Sequence, residues 1–411
     1  MSMFSFQVSL SLSSTVLFFL CPHSLVARDI VFPPSAPVQA KLNSDHSTSH
    51  NLNPAANPGY YQTYRSAVGA DKDHLLDYDK FAGLTTFSNL PWVHCLSPDN
   101  DVEKYDIAFL GAPFDTGTTG RPGARFGPTG IRLGSRRIEA PVAWSPYTHD
   151  NTFLSWARIV DCGDAPLTFL DNTVALQQLG EAHKIVSGRT ANTTEVASVP
   201  RIITLGGDHT TTLAALRSTV NHWGPVSVIH FDSHIDTWDP KVLGGGISHY
   251  AGVNHGTFLH IAHEEGLILN SSAHAGIRAP TMNKKYDWKN DKRCGFEIIT
   301  ARDIDKIGVQ GIIEQLKIRV GDSHVYISVD IDVLDPAFAP ATGTVEVGGW
   351  TTRELLSILD GLEGLKVIGA DVVEVAPAYD NVGETTVLAA AEVAHSLMSL
   401  MVETPVKPLK S

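Results

Sequence analysis

Cysteine is scarce: four residues in 411, at positions 21, 95, 162 and 294. No CxxC pair occurs among them. That excludes a thiolate zinc motif, and the scatter excludes the kind of disulfide framework that staples small secreted domains. Cys95, Cys162 and Cys294 are therefore expected to be buried free thiols. Basic residues are also in deficit: 31 Lys and Arg against 44 Asp and Glu give a formal charge of −13 at pH 7. So acidic a chain lacks the cationic surface that nucleic acid or an anionic membrane requires, and it leans towards a cationic small molecule. No internal repeat is visible. The first 27 residues contain no charged side chain. Their apolar stretch, roughly Val8 to Leu20, is broken by serines and falls short of the ~20 residues a span needs. With Ala27 preceding Arg28-Asp29, residues 1–27 read as a secretory signal peptide with a weak n-region; a misassigned start or an uncleaved anchor are the alternatives. Cleavage would leave a secreted or secretory-pathway protein with no membrane attachment. The glycosylation sequons Asn192-Thr193-Thr194 and Asn270-Ser271-Ser272 point the same way.

Residues 28–75 are rich in Pro, Asn, Ser and Ala and keep no helical or strand period. We read them as a flexible or surface-wrapping arm. From there to about residue 405 the texture is regular, with no sign of a second domain. Short apolar runs at 106–111, 201–207, 226–232, 324–332 and 366–375 alternate with helical patterns at 210–220, 308–321, 351–362 and 386–401. Strand–helix repetition with β-branched strands implies an α/β fold: a mainly parallel sheet with helices on both faces, a three-layer α/β/α sandwich. Ligands in such folds bind beyond the carboxyl ends of the strands. That is where the acids and histidines of this chain collect.

VIHFDSHIDTWD (228–239) puts His230, Asp232, His234 and Asp236 at alternate positions. Alternation would set all four on one face while the segment stays extended. SVDIDVLDP (328–336) does the same for Asp330 and Asp332. In LGGDHT, Gly206 and Gly207 permit a sharp turn, Asp208 could cap the following helix, and His209 falls at the strand-to-helix junction. Each stretch alone has a bland reading as a capped loop or a solvated acid pair. Together they place two imidazoles and four carboxylates on one rim. Uncompensated, that crowding costs several kcal/mol per charge; two divalent cations would cancel it. The set His209, Asp232, His234, Asp236, Asp330 and Asp332 is oxygen-rich, which suits Mn²⁺ better than Zn²⁺, with Co, Fe or Zn as other occupants. Two such ions would also acidify a shared water.

LGGDHT, HFDSHIDTWD and SVDIDVLDPAFAPATGT closely resemble the signature motifs of the ureohydrolases, the arginase and agmatinase family. GAPFDTGTTGRPGARFGPTGIR (111–132), NHGTF (254–258) and DVVEVAPAYD (371–380) agree. The resemblance runs from about Tyr105 to the C-terminal helical pattern. It implies a single α/β/α sandwich, two Mn²⁺ per subunit and a homo-oligomer, trimer or hexamer. It also implies roles. His209 and Asp236 would belong to one metal, His234 and Asp332 to the other, with Asp232 and Asp330 bridging. Asp236 would accept a hydrogen bond from the nucleophile. His255 would pass a proton to the leaving amine, and Glu374 would pair with the substrate's guanidinium. His230 and Asp335 match no ligand of the family and are read as structural, and His249, His260 and His263 as ordinary loop histidines.

DTW, GTTGRPGARFGP and AFAPATGT resemble the agmatinase branch. The expected reaction is hydrolysis of agmatine to putrescine and urea. The alternative is 4-guanidinobutyrase or another guanidino-acid hydrolase, for which Arg121 and Arg125 could serve an acidic tail. A non-catalytic, metal-stabilised relative would usually have lost a ligand, and a fold-related deacetylase would keep fewer acids around one Zn²⁺; neither matches the full set. The chain departs from the branch at 344–349, reading TVEVGG where members commonly have TPEPGG. Losing two prolines loosens that loop and puts the shape of the pocket in doubt.

Overall fold

Eight short β-friendly runs order themselves into one sheet. The computed structural model describes residues 83–407 except 100, 198, 245, 249 and 284. The segments read as signal peptide and arm, and His249, lie outside the described residues. The strands are β1 (Ile107–Gly111), β2 (Ile159–Asp164), β3 (Arg201–Leu205), β4 (Ser227–Phe231), β5 (Ser272–Ile277), β6 (Phe296–Thr300), β7 (His324–Asp330) and β8 (Lys366–Val373). Their order is β2-β1-β3-β8-β7-β4-β5-β6, and every adjacent pair is parallel. All carboxyl ends therefore share one rim. The α-helices are α1 (Gly127–Ser135), α2 (Asn172–Ser187), α3 (Thr211–Trp223), α4 (Phe258–Glu264), α5 (Tyr286–Arg293), α6 (Ile304–Val320), α7 (Thr352–Gly361) and α8 (Thr385–Glu403).

The two faces divide by strand alternation. Ile229, Phe231, Ile327 and Val329 join the core beneath α1, α6, α7 and α8. Val228 and Tyr326 join the core beneath α3 and α4, and Ala108, Leu110 and Val160 extend that second layer under α2. Of the described helices only α8 is long and apolar enough to cross a membrane. It packs against α1, α7, β3 and β8 as a core helix.

The five apolar runs and four helical patterns read from sequence all appear. The structure adds β2, β5 and β6, and α1, α2, α4 and α5, which sequence reading did not pick out. In α1 (GPTGIRLGS) the glycines argue against helix, yet a Cβ on Gly134 would lie 2.4 Å from the Val387 carbonyl oxygen. Glycine is there because α1 and α8 approach closely. His260 and His263, read as loop residues, sit on α4.

The cysteine expectation is overturned in part. Cys95 and Cys162 form a disulfide with Cα atoms 5.3 Å apart, and among the described residues only Cys294 is a buried free thiol. Residues 91–93 run along the outer edge of β2, where Val93 N donates to Asp161 O at 3.0 Å and Asp161 N to Pro91 O at 3.0 Å. That edge pairing brings together two sulfurs 67 residues apart in sequence, and no cysteine spacing announces it. Cys95→Ala is expected to lower the unfolding free energy by about 2–4 kcal/mol. Denaturant melts with and without reductant check this; superimposable melts of the unsubstituted protein would show that the bridge does not form.

Candidate metal and substrate site

All the acids of the site, with His209 and His234, arrive from strand ends. After β3, a Cβ on Gly207 would sit 1.8 Å from the Phe114 carbonyl oxygen, so only glycine lets the loop after β1 close over this turn. Asp208 then accepts from Thr210 N at 2.9 Å and from Gly117 N at 2.7 Å. It is not the cap expected of it, since the N-cap of α3 is Thr210 and carries no side-chain cap bond; Asp208 instead closes the turn before the helix and ties down the loop after β1. His209 follows, fully buried. Its Nε2 lies 2.7 Å from Ser328 Oγ, which donates to Asp371 at 2.6 Å. That leaves Nδ1 for the acids. From β4 come Asp232, His234 and Asp236, from β7 Asp330 and Asp332, and from the end of β8 Glu374. His255 lies in the turn before α4, its N–H donating to Gly117 O at 3.1 Å.

One geometric expectation fails. The segment 230–236 is not extended throughout. β4 ends at Phe231, Asp232 Oδ1 accepts from His234 N at 2.5 Å, and Asp236 has φ +51°. The side chains converge because a tight aspartate turn and a left-handed residue fold the strand end back on itself, rather than by simple alternation. Asp330 likewise caps a short 3-10 turn, Ile331–Val333, that carries Asp332, and accepts from Asp332 N at 2.8 Å.

The six expected ligands do come together. His209 Nδ1 is 3.1 Å from Asp232 Oδ2, 3.2 Å from Asp236 Oδ2 and 3.4 Å from Asp330 Oδ2. His234 Nδ1 is 3.0 Å from Asp332 Oδ2 and 3.3 Å from Asp232 Oδ1. Asp232 thus offers one oxygen to each histidine. Two donor sets result, His209/His230/Asp232/Asp236 and Asp232/His234/Asp332, each spanning under 4.8 Å and sharing Asp232. His230, read as structural, stands inside the first. Asp335 is structural as read, accepting from the backbone of Ala337, Gly348 and Gly349.

The electrostatics show strain. Burial, with Asp332 and Asp232 beside it, pushes Asp330 well above the ordinary carboxylate range. Burial and Asp232 push Asp236 up to about 6. Burial opposes charge on His209 and His234, but the surrounding carboxylates outweigh it and raise both. Asp232 is buried too, yet its imidazole neighbours hold it well below the usual range. His209 Nδ1 and Asp232 Oδ2 have no hydrogen-bond partner despite full burial. Unpartnered, oxygen-rich and imidazole-bearing, the donors fit a pair of divalent cations.

Beside the acids, His255 Nδ1 lies 3.0 Å from Glu374 Oε1, which also accepts from His209 N at 2.9 Å. Glu374 Oε2 is buried without a partner, and the residue holds φ +62°. Burial lowers the pKa of His255, but Glu374, Asp236 and Asp208 raise it further, to about 9. Thr119 sits on the far side of the ring, its Oγ1 2.8 Å from Nε2. Thr119, which sequence reasoning missed, is signalled only by its place in the glycine-rich 111–132 stretch. A cavity of about 240 Å³ opens here, lined among others by His234, Asp236, His255, Trp238, Leu243, Met282 and Glu346. Arg121 and Arg125 do not line it: Arg125 is paired with Asp115, and Arg121 lies over the Tyr379 ring.

A model of the arginase family matches residues 105–399. The chain is 52% identical to "Putative agmatinase 1" of Schizosaccharomyces pombe over 84% of its length and 89% of that protein's. It is 37% identical to an agmatinase of Escherichia coli over 71% and 86% of the two chains. The solved proclavaminate amidinohydrolase of Streptomyces clavuligerus superposes with a TM-score of 0.69 at 33% identity, covering 79% of this chain and 99% of the other.

Proposed function

This chain belongs to the arginase family of amidinohydrolases, a premise from which we propose that it hydrolyses agmatine to putrescine and urea with two manganese ions. One ion would be held by His209, Asp236, Asp232 and Asp330, and the other by His234, Asp332 and the same two shared aspartates. When bound, the pair offsets four carboxylates and acidifies a shared water, supplying the nucleophile at neutral pH. The protein's own groups do the rest. Glu374 takes the guanidinium through its unpartnered, buried Oε2 in a charge-assisted bond. Attack at the guanidinium carbon makes it tetrahedral. As the bond to the alkyl nitrogen breaks, His255 hands that nitrogen a proton, and Thr119 and Glu374 hold the imidazole in place on either side.

The observation that carries the choice of substrate is the charge of the cavity. Among its described lining residues no Lys or Arg occurs, and Glu346 stands beyond His234 with Oε1 3.7 Å from that ring. An ammonium tail finds an acid and a Trp238 face there; beyond the two histidines of the reaction centre, a carboxylate tail finds no cation among the described lining residues. The similarity to agmatinases supports the same reading. Urea release from agmatine, 4-guanidinobutyrate and arginine, compared side by side on Mn²⁺-loaded protein, tests it: agmatine should lead. Glu346→Gln should raise KM for agmatine by roughly fivefold, as expected for a part-exposed ion pair worth about 1 kcal/mol. Preference for 4-guanidinobutyrate would reverse the assignment in favour of a guanidino-acid hydrolase.

Secretion belongs to the same proposal. The Cys95–Cys162 bridge is at home in an oxidising compartment, and Asn192 and Asn270 of the two sequons are exposed. A homo-oligomer, trimer or hexamer, is favoured by the exposed apolar side chains of Phe126, Leu133, Val382 and Leu388 where α1 meets α8.

A further inference from the structure

Behind Asp232 runs a row of buried polar side chains that the reaction above does not use. His230, on β4, places Nε2 3.0 Å from Asp232 Oδ2. Its Nδ1 lies 2.8 Å from Nδ1 of His274 on the neighbouring β5, where the strand register pairs the two residues directly. His274 Nε2 lies 2.9 Å from Asp291 Oδ1 on α5. The same oxygen accepts from Thr237 Oγ1 at 2.6 Å, so the row also grips the far end of the turn that carries Asp236. His230 and His274 are fully buried and Asp291 nearly so. Phe296 stacks on His274 with ring centroids 4.0 Å apart, and Phe258 packs edge-on to His230 at 6.0 Å.

Such a row is expensive as mere filling. Each polar atom loses its water, and apolar side chains of similar volume would pack there at less cost. The neighbours of His274 on β5, Ala273 and Ala275, are apolar. What the row touches at its inner end explains it. Asp232 is the carboxylate common to both donor sets and must present one oxygen to each. Its Oδ1 is held by the backbone of His234. Its Oδ2 makes no hydrogen bond in this structure, and besides His209 the imidazole facing it is His230, whose Nε2, 3.0 Å away, is likewise without a hydrogen bond and free to serve it.

We propose that His274 and Asp291 are positioning residues for metal binding: acting through His230, they lock the Asp232 carboxylate in the orientation that both donor sets need. This rests on the two-metal reading above. Outer groups that orient a ligand in this way typically change metal affinity 10–100-fold when removed.

The test is a calorimetric Mn²⁺ titration of full-length, chelator-stripped protein. It compares the unsubstituted chain with His274→Asn, His274→Gln, Asp291→Asn and, as a destabilised comparator on α6 away from the row, Leu316→Ala. The unsubstituted chain should bind two Mn²⁺. His274→Asn and Asp291→Asn should bind at least one of them 10–100-fold more weakly. Their KM for agmatine should not change, and kcat should recover in excess Mn²⁺. His274→Gln, whose amide keeps a donor and an acceptor in the row, should regain most of the affinity. The proposal is overturned if both Mn²⁺ bind the Asn variants within twofold of normal while their Tm falls as it does in Leu316→Ala. Should His274→Asn not fold, Asp291→Asn decides by the same criterion. No Mn²⁺ bound by the unsubstituted chain would instead bring down the two-metal reading, and this proposal with it.

Discussion

His234→Ala is expected to leave one Mn²⁺ per chain and to lower kcat by about a thousandfold or more. The reason lies in how the second donor set is built. His234 is its only imidazole, with Asp332 and one oxygen of Asp232 completing it. Alanine leaves those carboxylates with one neutral donor fewer and more unrelieved repulsion, because Asp332 already disfavours charge on Asp330. The first set keeps His209, Asp236 and its own oxygen of Asp232, so one ion should remain. Losing half of the positive charge that acidifies the nucleophile removes several kcal/mol of transition-state stabilisation, and about 4 kcal/mol corresponds to a thousandfold in rate. The side chain is only 16% exposed, and its removal opens the cavity floor without breaking the sheet, so a normal Tm should accompany the loss. Metal analysis of the dialysed protein beside a urea assay checks both halves. Two ions retained, with full turnover, would disprove the cage.

How much of this was legible beforehand depends on the range of the signal. The five strands with continuous β-branched runs could be read, because burial on both faces leaves no polar alternation to confuse them. β5, SAHAGI, could not: alanine, histidine and glycine carry no strand preference, and its membership is decided by pairing with β4 and β6. The six clustered His and Asp donors could be read because three short motifs ended apolar runs. Their actual route to the site was not, since it depends on the left-handed Asp236 and on an aspartate turn. His274 and Asp291 had no local signature at all. They matter only because β4 and β5 lie in register and α5 packs beside them. The Cys95–Cys162 bridge is the same kind of fact, a long-range pairing at a sheet edge. Family resemblance supplied His255 and Glu374, which isolated motifs would have left as a loop histidine and a solvated strand-end acid. The structure buries Glu374 completely, which no solvated acid would tolerate.

That burial leads to the other large effect. Glu374→Gln is expected to lower kcat/KM for agmatine by 10²–10⁴ while both Mn²⁺ stay bound. Glutamine has nearly the same shape, so the backbone at φ +62° and the packing around it need not move. An amide oxygen can still accept from His209 N, as Oε1 does now at 2.9 Å. The substrate's guanidinium, however, would meet an NH₂ group where Oε2 stands unpartnered and buried. Donor then faces donor, and a desolvated cation loses its counter-charge. Removing one partner of a buried charge pair costs about 3–5 kcal/mol, which converts to 10²–10⁴ in kcat/KM. The loss should fall on KM and kcat together, because the same contact holds the guanidinium in the ground state and orients its carbon for attack. Glu374→Asp separates charge from reach: it keeps the carboxylate but withdraws it by one methylene, and it should fall between the parent and the Gln variant. If Glu374→Gln hydrolyses agmatine at the parent rate, the guanidinium is held elsewhere in the cavity and Glu374 serves only to seat His209 and His255.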